Sequence, residues 1–163
     1  MKPHFLIINN LTVMTQADLV RLFFAKGEKP SYWAFCFNTQ CPLAKECALQ
    51  LSVAYKDADY TRGEAVFPDA FKDGKCKHFR QLKLVRMAYG FEGILDELKR
   101  KDSGSFKVRM ISYLGSSTSY YRYKLGQTNL VPEQQKYILA WCQEHGYSNM
   151  KFDRYTEEIT YNI

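Results

Sequence analysis

Three cysteines fall within twelve residues in the stretch CFNTQCPLAKEC, residues 36 to 47, and a fourth follows in GKCKHF. If one metal ion binds all four, these two distant segments must fold against each other, which restricts the architecture of the N-terminal half. The spacing, C-x4-C-x5-C-x28-C, is looser than the C-x2-C pairs of zinc knuckles. The candidate metal ligands are Cys36, Cys41, Cys47 and Cys76, and His78 is the first substitute for one of them.

The backbone conformation at Pro42 determines whether the first three thiols can lie close together. If Pro42 opens a helix, Cys41 and Cys47 are separated by about 9 Å of rise and lie on different sides of it. If CPLA is a turn and the helix begins near Lys45, Cys36 and Cys41 can fold over the first turn, which contains Cys47. Three alternatives stay open: a structural zinc ion, which we favour slightly, free thiols, and an iron-sulfur cluster, which we favour least.

The chain is long enough to bury an apolar core without disulfides, since it has 163 residues. Its first apolar run, FLII, is too short for the core of a signal peptide or for a membrane span. We therefore expect a cytoplasmic protein without a membrane partner. In that reducing compartment, five cysteines, an odd number, argue against a disulfide framework.

The apolar periodicity predicts a mainly helical α+β fold in one domain, residues 1–163, with a cysteine-containing half (1–80) and a helical half (81–163). Residues 31–38 are predicted to be extended, and residues 150–163 to form an edge strand. The predicted helices cover 15–27, 44–55, 84–101, 106–114, 117–125 and 132–145. Cys142 belongs to the apolar stripe of the last helix and is not a ligand candidate.

Positive charge is concentrated in the middle of the chain. Residues 72–124 contain thirteen Lys and Arg against five Asp and Glu, whereas the segments on either side are balanced or slightly acidic. The same segment contains five tyrosines. This combination is typical of a surface that binds polyanions; the alternative is a solvated basic face without a partner.

The stretch FKVRMISYLGSSTSYYRYKLGQTNLVPEQQKYILAWCQEHGYSN, residues 106–149, resembles the helix-turn-helix region of lac-repressor-type regulators. The resemblance implies a first helix over 106–114, a recognition helix over 117–125 that enters the major groove, and a supporting helix over 131–145. The residues it implies as nucleic-acid contacts are Thr118, Ser119, Tyr120, Arg122, Tyr123 and Lys124. Three positions depart from the pattern, namely Ile111, Ser116 and Lys124, where the family has a small, an apolar and a buried aliphatic residue.

Four blocks, CFNTQCPL, FPDAFKDGKCKHFR, YLGSSTSYYRYKLG and VPEQQKYI, resemble an uncharacterised family of small cytoplasmic proteins from gut Bacteroidetes. This resemblance implies a bacterial setting and no particular chemistry.

The sequence contains no phosphate-binding loop, nucleophile elbow, dinucleotide fingerprint or paired histidines at helical spacing. An enzyme is therefore the less favoured class, and within it we prefer a thiol enzyme that uses Cys41. We expect a protein that binds nucleic acid, DNA rather than RNA, in a regulatory role and with a structural metal site made of the four candidate cysteines. The alternative is a protein-interaction module with free buried thiols and no nucleic-acid partner.

Overall fold

The computed structural model describes residues 14–27 and 29–161, and this part of the chain falls into two compact units. The first unit contains the described residues up to Lys83 together with Tyr161, and the second runs from Leu84 to Thr160. The boundary lies close to the division expected at residue 80. The single-domain organisation stays a prediction, and the FLII run lies outside the described residues.

Six α-helices, three short 3-10 helices and three two-stranded sheets make up the regular structure of the described residues, which confirms a mainly helical α+β class. None of these helices is long and apolar enough to cross a membrane. The cytoplasmic location and the lack of a membrane partner stay predictions.

The first unit begins with α1, Gln16–Ala25, where the sequence predicts a helix. The Thr15 hydroxyl accepts a hydrogen bond from the Asp18 backbone N–H at 3.2 Å, and the Asp18 carboxylate accepts one from the Thr15 N–H at 3.2 Å. This reciprocal cap satisfies two backbone donors that a helix start leaves without partners. The buried face of α1 carries Leu19, Val20 and Phe23.

Two small sheets follow in this unit. Strand β1, Phe35–Cys36, pairs in parallel with β2, Ala65–Val66. Strand β3, Phe71–Lys72, pairs antiparallel with β4, Lys75–Cys76, through a tight turn. Of the extended segment predicted over 31–38, only the two residues of β1 form a strand, and residues 31 and 32 lie in a turn.

The helix predicted over 44–55 is present only in pieces: a 3-10 turn at Ala44–Glu46, helix α2 at Ala48–Leu51, and a 3-10 turn at Ser52–Tyr55. The break lies at Cys47, whose backbone is extended. The N–H of Ala48, which would bond to Ala44 in a continuous helix, donates instead to the carbonyl of Arg80 at 2.7 Å. A long-range hydrogen bond therefore overrides the local helical pattern.

Ser52 is a fully buried polar residue in the core of the first unit. Its hydroxyl accepts a hydrogen bond from the Trp33 indole N–H at 2.9 Å and donates one to the carbonyl of Leu49 at 3.0 Å. Trp33 is itself buried and packs on Phe23 with 5.4 Å between ring centroids. The hydroxyl thus fixes a large ring in the core.

We expect Ser52→Ala to lower the free energy of unfolding by about 1–3 kcal/mol, because the buried indole N–H loses its acceptor. Urea denaturation followed by tryptophan fluorescence measures the change. The control is Ser31→Ala, since Ser31 is exposed. Equal stability of the two variants would mean that the buried bond contributes nothing.

The second unit contains β5, Lys83–Tyr89, whose first residue lies in the other unit, and then α3, Glu92–Glu97, and α4, Arg100–Leu114. It continues with α5, Ser117–Lys124, α6, Pro132–Glu144, and β6, Arg154–Thr160. Strand β6 pairs with β5, so the edge strand predicted over 150–163 is confirmed over Arg154–Thr160, while residues 150–153 are not part of it.

The helix predicted over 84–101 is wrong. Its first part is strand β5, where Ala88 exchanges two backbone hydrogen bonds with Leu130, at 3.1 and 2.7 Å. The chain then turns at Gly90, whose φ is 71°, before α3 begins. The basic run Lys99–Lys101 was expected to end a helix; instead Lys99 precedes the first residue of α4.

The three helices predicted in the C-terminal half are confirmed, although α4 starts before the predicted residue 106. It ends at Gly115, which adopts a left-handed conformation with φ 93° that favours glycine. The Ser116 hydroxyl caps α5 by accepting from the Ser119 N–H at 3.0 Å, and Pro132 is the first residue of α6. The core between these helices contains Phe91, Phe106, Met110, Leu114, Tyr120, Ile138, Trp141 and Cys142.

Candidate nucleic-acid interface and thiol cluster

Helix α5 is held by two tyrosines on its inner side. Tyr120 is 3% exposed, and its ring meets Phe91 edge-on with 5.5 Å between centroids. The Tyr123 hydroxyl accepts a hydrogen bond from the Gln134 amide on α6 at 3.4 Å. These contacts fix which face of α5 points away from the core.

Tyr120 therefore stands apart from the other residues implied as nucleic-acid contacts. Burial raises the pKa of its hydroxyl to about 12. A side chain in this position stabilises the helix and cannot reach a base. Tyr120 is therefore not part of the exposed face of α5.

The outer face of α5 carries Thr118 and Arg122, which are both exposed and lie one turn apart. Ser119 is half-buried beside them. Lys124, at the end of the helix, is partly buried, and its ammonium group pairs with the Glu92 carboxylate at 3.2 Å. Arg122 is thus the exposed cation of this helix, since the charge of Lys124 already has a partner.

Lys107 on α4 and Tyr121 on α5 form a contact that the sequence does not predict. The Lys107 ammonium donates a hydrogen bond to the Tyr121 hydroxyl at 2.9 Å and lies 5.3 Å from the centre of its ring. This bond and the nearby positive charge lower the pKa of Tyr121. Both residues lie in the basic, tyrosine-rich segment, but only the packing of α4 on α5 brings them together.

The exposed cations of this helix pair are mostly free of carboxylates. Among the described residues, Arg100, Lys101 and Arg122 have no acidic partner at ion-pair distance. The Arg109 guanidinium instead lies over the Tyr137 ring, 5.5 Å from its centre. The positive charge of α4 and α5 is therefore largely uncompensated.

The thiol region of the first unit has the CPLA turn of the second arrangement proposed for Pro42, but Cys47 precedes a helix and does not lie in its first turn. The Ala44 N–H donates to the Cys41 carbonyl at 3.0 Å, so CPLA is a turn and no helix starts at Pro42. Cys47 lies just before α2 in an extended conformation. Cys41 and Cys47 are therefore not on one helix, and their side chains are not held on its opposite sides.

Two long-range hydrogen bonds bring the remaining segments to this turn. The Ala48 N–H donates to the Arg80 carbonyl, and the Phe79 N–H closes a turn on the Cys76 carbonyl at 3.0 Å. The Asn38 side-chain amide donates to the carbonyl of Pro68 at 3.4 Å, close to the hairpin that ends at Cys76. All four cysteine-bearing positions are therefore drawn into one region.

The environment of Cys36 reflects this proximity. Burial raises the pKa of its thiol, the Asn38 N–H opposes the rise, and the neighbouring Cys47, Cys41 and Cys76 add to it. All of the cysteines are free of disulfides. Within residues 14–27 and 29–161, however, no three Cys, His, Asp or Glu side chains are arranged so that they could hold a metal ion.

Cys142, which is not a ligand candidate, and His78, the substitute candidate, lie in different surroundings. Cys142 is fully buried in the core of the second unit, and burial raises its pKa to about 11, which agrees with its exclusion as a ligand. His78 is exposed and lines an open groove with Lys72, Lys75 and Lys77.

The fold and these two sites describe a small α+β protein with a basic helix pair and a group of neighbouring thiols. A family model described as "Family of unknown function (DUF6078)" matches residues 19–162, and the chain belongs to this family. Comparison with curated proteins and with solved structures finds no match. The membership agrees with the uncharacterised family expected from the sequence, while the bacterial origin stays a prediction.

Proposed function

We propose that the protein binds duplex DNA, with α5 as the helix that enters the major groove. The observation that carries the proposal is the outer face of α5, where Thr118 and Arg122 are exposed beside the Lys107–Tyr121 contact. A groove-binding helix needs a rigid inner side and a polar, cationic outer side. Tyr120 and Tyr123 provide the rigid inner side. Arg122 and Thr118 provide the polar, cationic outer side.

The connection between α4 and α5 fits a helix-turn-helix reader. Gly115 ends α4, Ser116 caps α5, and α5 begins at Ser117. From such a helix, an arginine can donate two hydrogen bonds to the O6 and N7 of guanine, and a threonine can contact a phosphate or a thymine methyl group. We assign the base contact to Arg122.

The cations of α4 supply the contacts to the DNA backbone. Lys107 lies next to α5, and Arg100 lies two turns earlier on the same side of α4. Phosphate contacts of this kind position a protein on duplex DNA without reading its sequence. They also make binding depend steeply on salt, because each neutralised phosphate releases counterions.

A protein-interaction module is the second candidate, and one observation favours it. Phe37 and Phe67 directly follow the paired strands β1 and β2, and they are 54% and 73% exposed. Exposed rings of this size are typical of protein contact surfaces. A protein that binds partners through these rings would not depend on Arg122.

Arg122→Ala tests the DNA proposal. Duplexes are first enriched from a random pool with the wild-type protein, and the affinity for the enriched duplex is measured by fluorescence anisotropy. We expect Arg122→Ala to bind about 5- to 100-fold more weakly, as for the loss of one base contact. Lys107→Ala should weaken binding to all duplexes and reduce the salt slope by about one.

The matched control is Arg62→Ala, which removes the same charge from an exposed position in the first unit. This variant should bind like the wild type. The proposal is wrong if the wild-type protein fails to retard duplex DNA at low salt. It is also wrong if the Arg122 and Arg62 variants bind equally well.

A further inference from the structure

We propose that Cys36, Cys41, Cys47 and Cys76 bind one zinc ion as four thiolates and thereby tie together three segments of the first unit. These segments are the end of β1 with the CPLA turn, the start of α2, and the hairpin formed by β3 and β4. This inference concerns the first unit alone and does not depend on DNA binding.

The backbone around the thiols is held by bonds that do not involve sulfur. Ala48 is bonded to Arg80, Asn38 to Pro68, and Ala44 to Cys41. These bonds bring cysteines separated by a long connection into one region before any ligand is considered. Cys47 and Cys76 are separated by 28 residues, and a metal ion bound by both would hold the two ends of this connection together.

The exposure of the thiols differs from that of a cysteine used for packing. Cys36, Cys41 and Cys76 are only half-buried, whereas Cys142 has no exposed surface in a core of large apolar side chains. Side chains that merely fill a core are fully enclosed. Three half-buried thiols next to the buried Cys47 are better explained as a ligand set.

A zinc site requires an attraction that brings the four sulfurs closer together than they lie in the structure, since no three candidate ligands among the described residues are arranged so that they could hold a metal ion. A zinc ion supplies that attraction: each thiol releases one proton to solvent, and each resulting thiolate forms one Zn–S bond of about 2.3 Å.

Three lysines close to the cysteines in sequence favour this site. Zinc bound by four thiolates carries net negative charge, which nearby cations stabilise. Lys45 lies between Cys41 and Cys47, while Lys75 and Lys77 flank Cys76, and all three are exposed. Soft thiolate ligands in a tetrahedral set select zinc over magnesium or calcium.

Metal analysis of the full-length protein, purified without a metal-affinity step, tests the proposal. We expect about one zinc ion per chain in the wild type and in Cys142→Ser, and a loss of most zinc in Cys36→Ser and Cys76→Ser. Because the cysteine variants could fail to fold, the wild type is also titrated with a thiol reagent. A strong chelator should expose four thiols that zinc protects, and zinc binding should weaken at lower pH.

Three results would overturn the inference. One is less than about a tenth of an equivalent of zinc in the wild type. Another is iron with visible absorbance, which indicates an iron-sulfur cluster. The third is zinc loss in the Cys142 variant alone. None of these results bears on the proposed function, which is tested separately by the affinity for DNA.

Discussion

Replacing Tyr120 with alanine is expected to lower the free energy of unfolding of the second unit by about 3–5 kcal/mol, as for other buried aromatic side chains. Tyr120 is 3% exposed, packs edge-on against Phe91, and belongs to the cluster that includes Phe106 and Ile138. The truncation would leave a cavity among α4, α5 and α6 that the surrounding rings cannot fill. Urea denaturation followed by circular dichroism measures the effect.

The neighbouring residue supplies a matched control. Tyr121 is 43% exposed, and its hydroxyl bonds to Lys107. We expect Tyr121→Ala to lose much less stability than Tyr120→Ala but to bind DNA more weakly than the wild type, because the Lys107 ammonium loses the contact that positions it. Tyr120→Phe, which keeps the buried ring, should remain close to the wild type in both measurements. The reverse order of stabilities would mean that α5 is packed with its other face inward.

The elements that the sequence predicts correctly are those whose ends depend on near neighbours. Thr15 and Asp18 form their cap within one turn, Ser116 caps α5 through Ser119, and Pro132 opens α6. These signals are local, so the sequence displays them without knowledge of the fold.

The helix predictions fail where hydrogen bonds to distant residues determine the backbone conformation. Ala88 lies in an apolar stripe of helical spacing, yet its N–H and C=O both bond to Leu130 across the unit. Ala48 likewise bonds to Arg80 rather than to the previous helical turn. A window of the sequence contains neither partner, so its periodicity favours a helix in both places.

The candidate sites were also predictable only in part. The sequence identifies the basic, tyrosine-rich segment and the cysteines, but it does not indicate which tyrosine of YYRY faces the core. Only the packing against Phe91 separates Tyr120 from Tyr121. The pairing of Lys124 with Glu92 also depends on the fold, and it removes Lys124 as a free cation for a phosphate.

Gly90→Ala is the second substitution for which we expect a large effect, a loss of about 2–4 kcal/mol in the free energy of unfolding. The φ of Gly90 is 71°, a conformation that alanine adopts only with strain. A Cβ atom there would lie 2.3 Å from an Asp153 carboxylate oxygen. That carboxylate accepts hydrogen bonds from the N–H groups of Glu92 and Gly93, at 3.0 and 2.9 Å.

Alanine at position 90 is therefore expected to disturb the start of α3 as well. The residue before that helix, Phe91, offers no side-chain cap, so Asp153 alone supplies the side-chain acceptors for these two donors among the described contacts. Moving the carboxylate away from the new methyl group would leave both donors to solvent. Asp153 also donates its backbone N–H to the Gly90 carbonyl at 3.2 Å, and the same displacement would weaken this bond.

Gly104→Ala is the control for the glycine substitution, because Gly104 lies inside α4 and a Cβ atom there would meet nothing within 4 Å. We expect this variant to be more stable than the wild type by about 0.5–1 kcal/mol, since alanine has the higher helix propensity. Both variants add one methyl group to the same unit. If urea denaturation shows that they change stability in the same direction, the contact between Gly90 and Asp153 does not determine the start of α3.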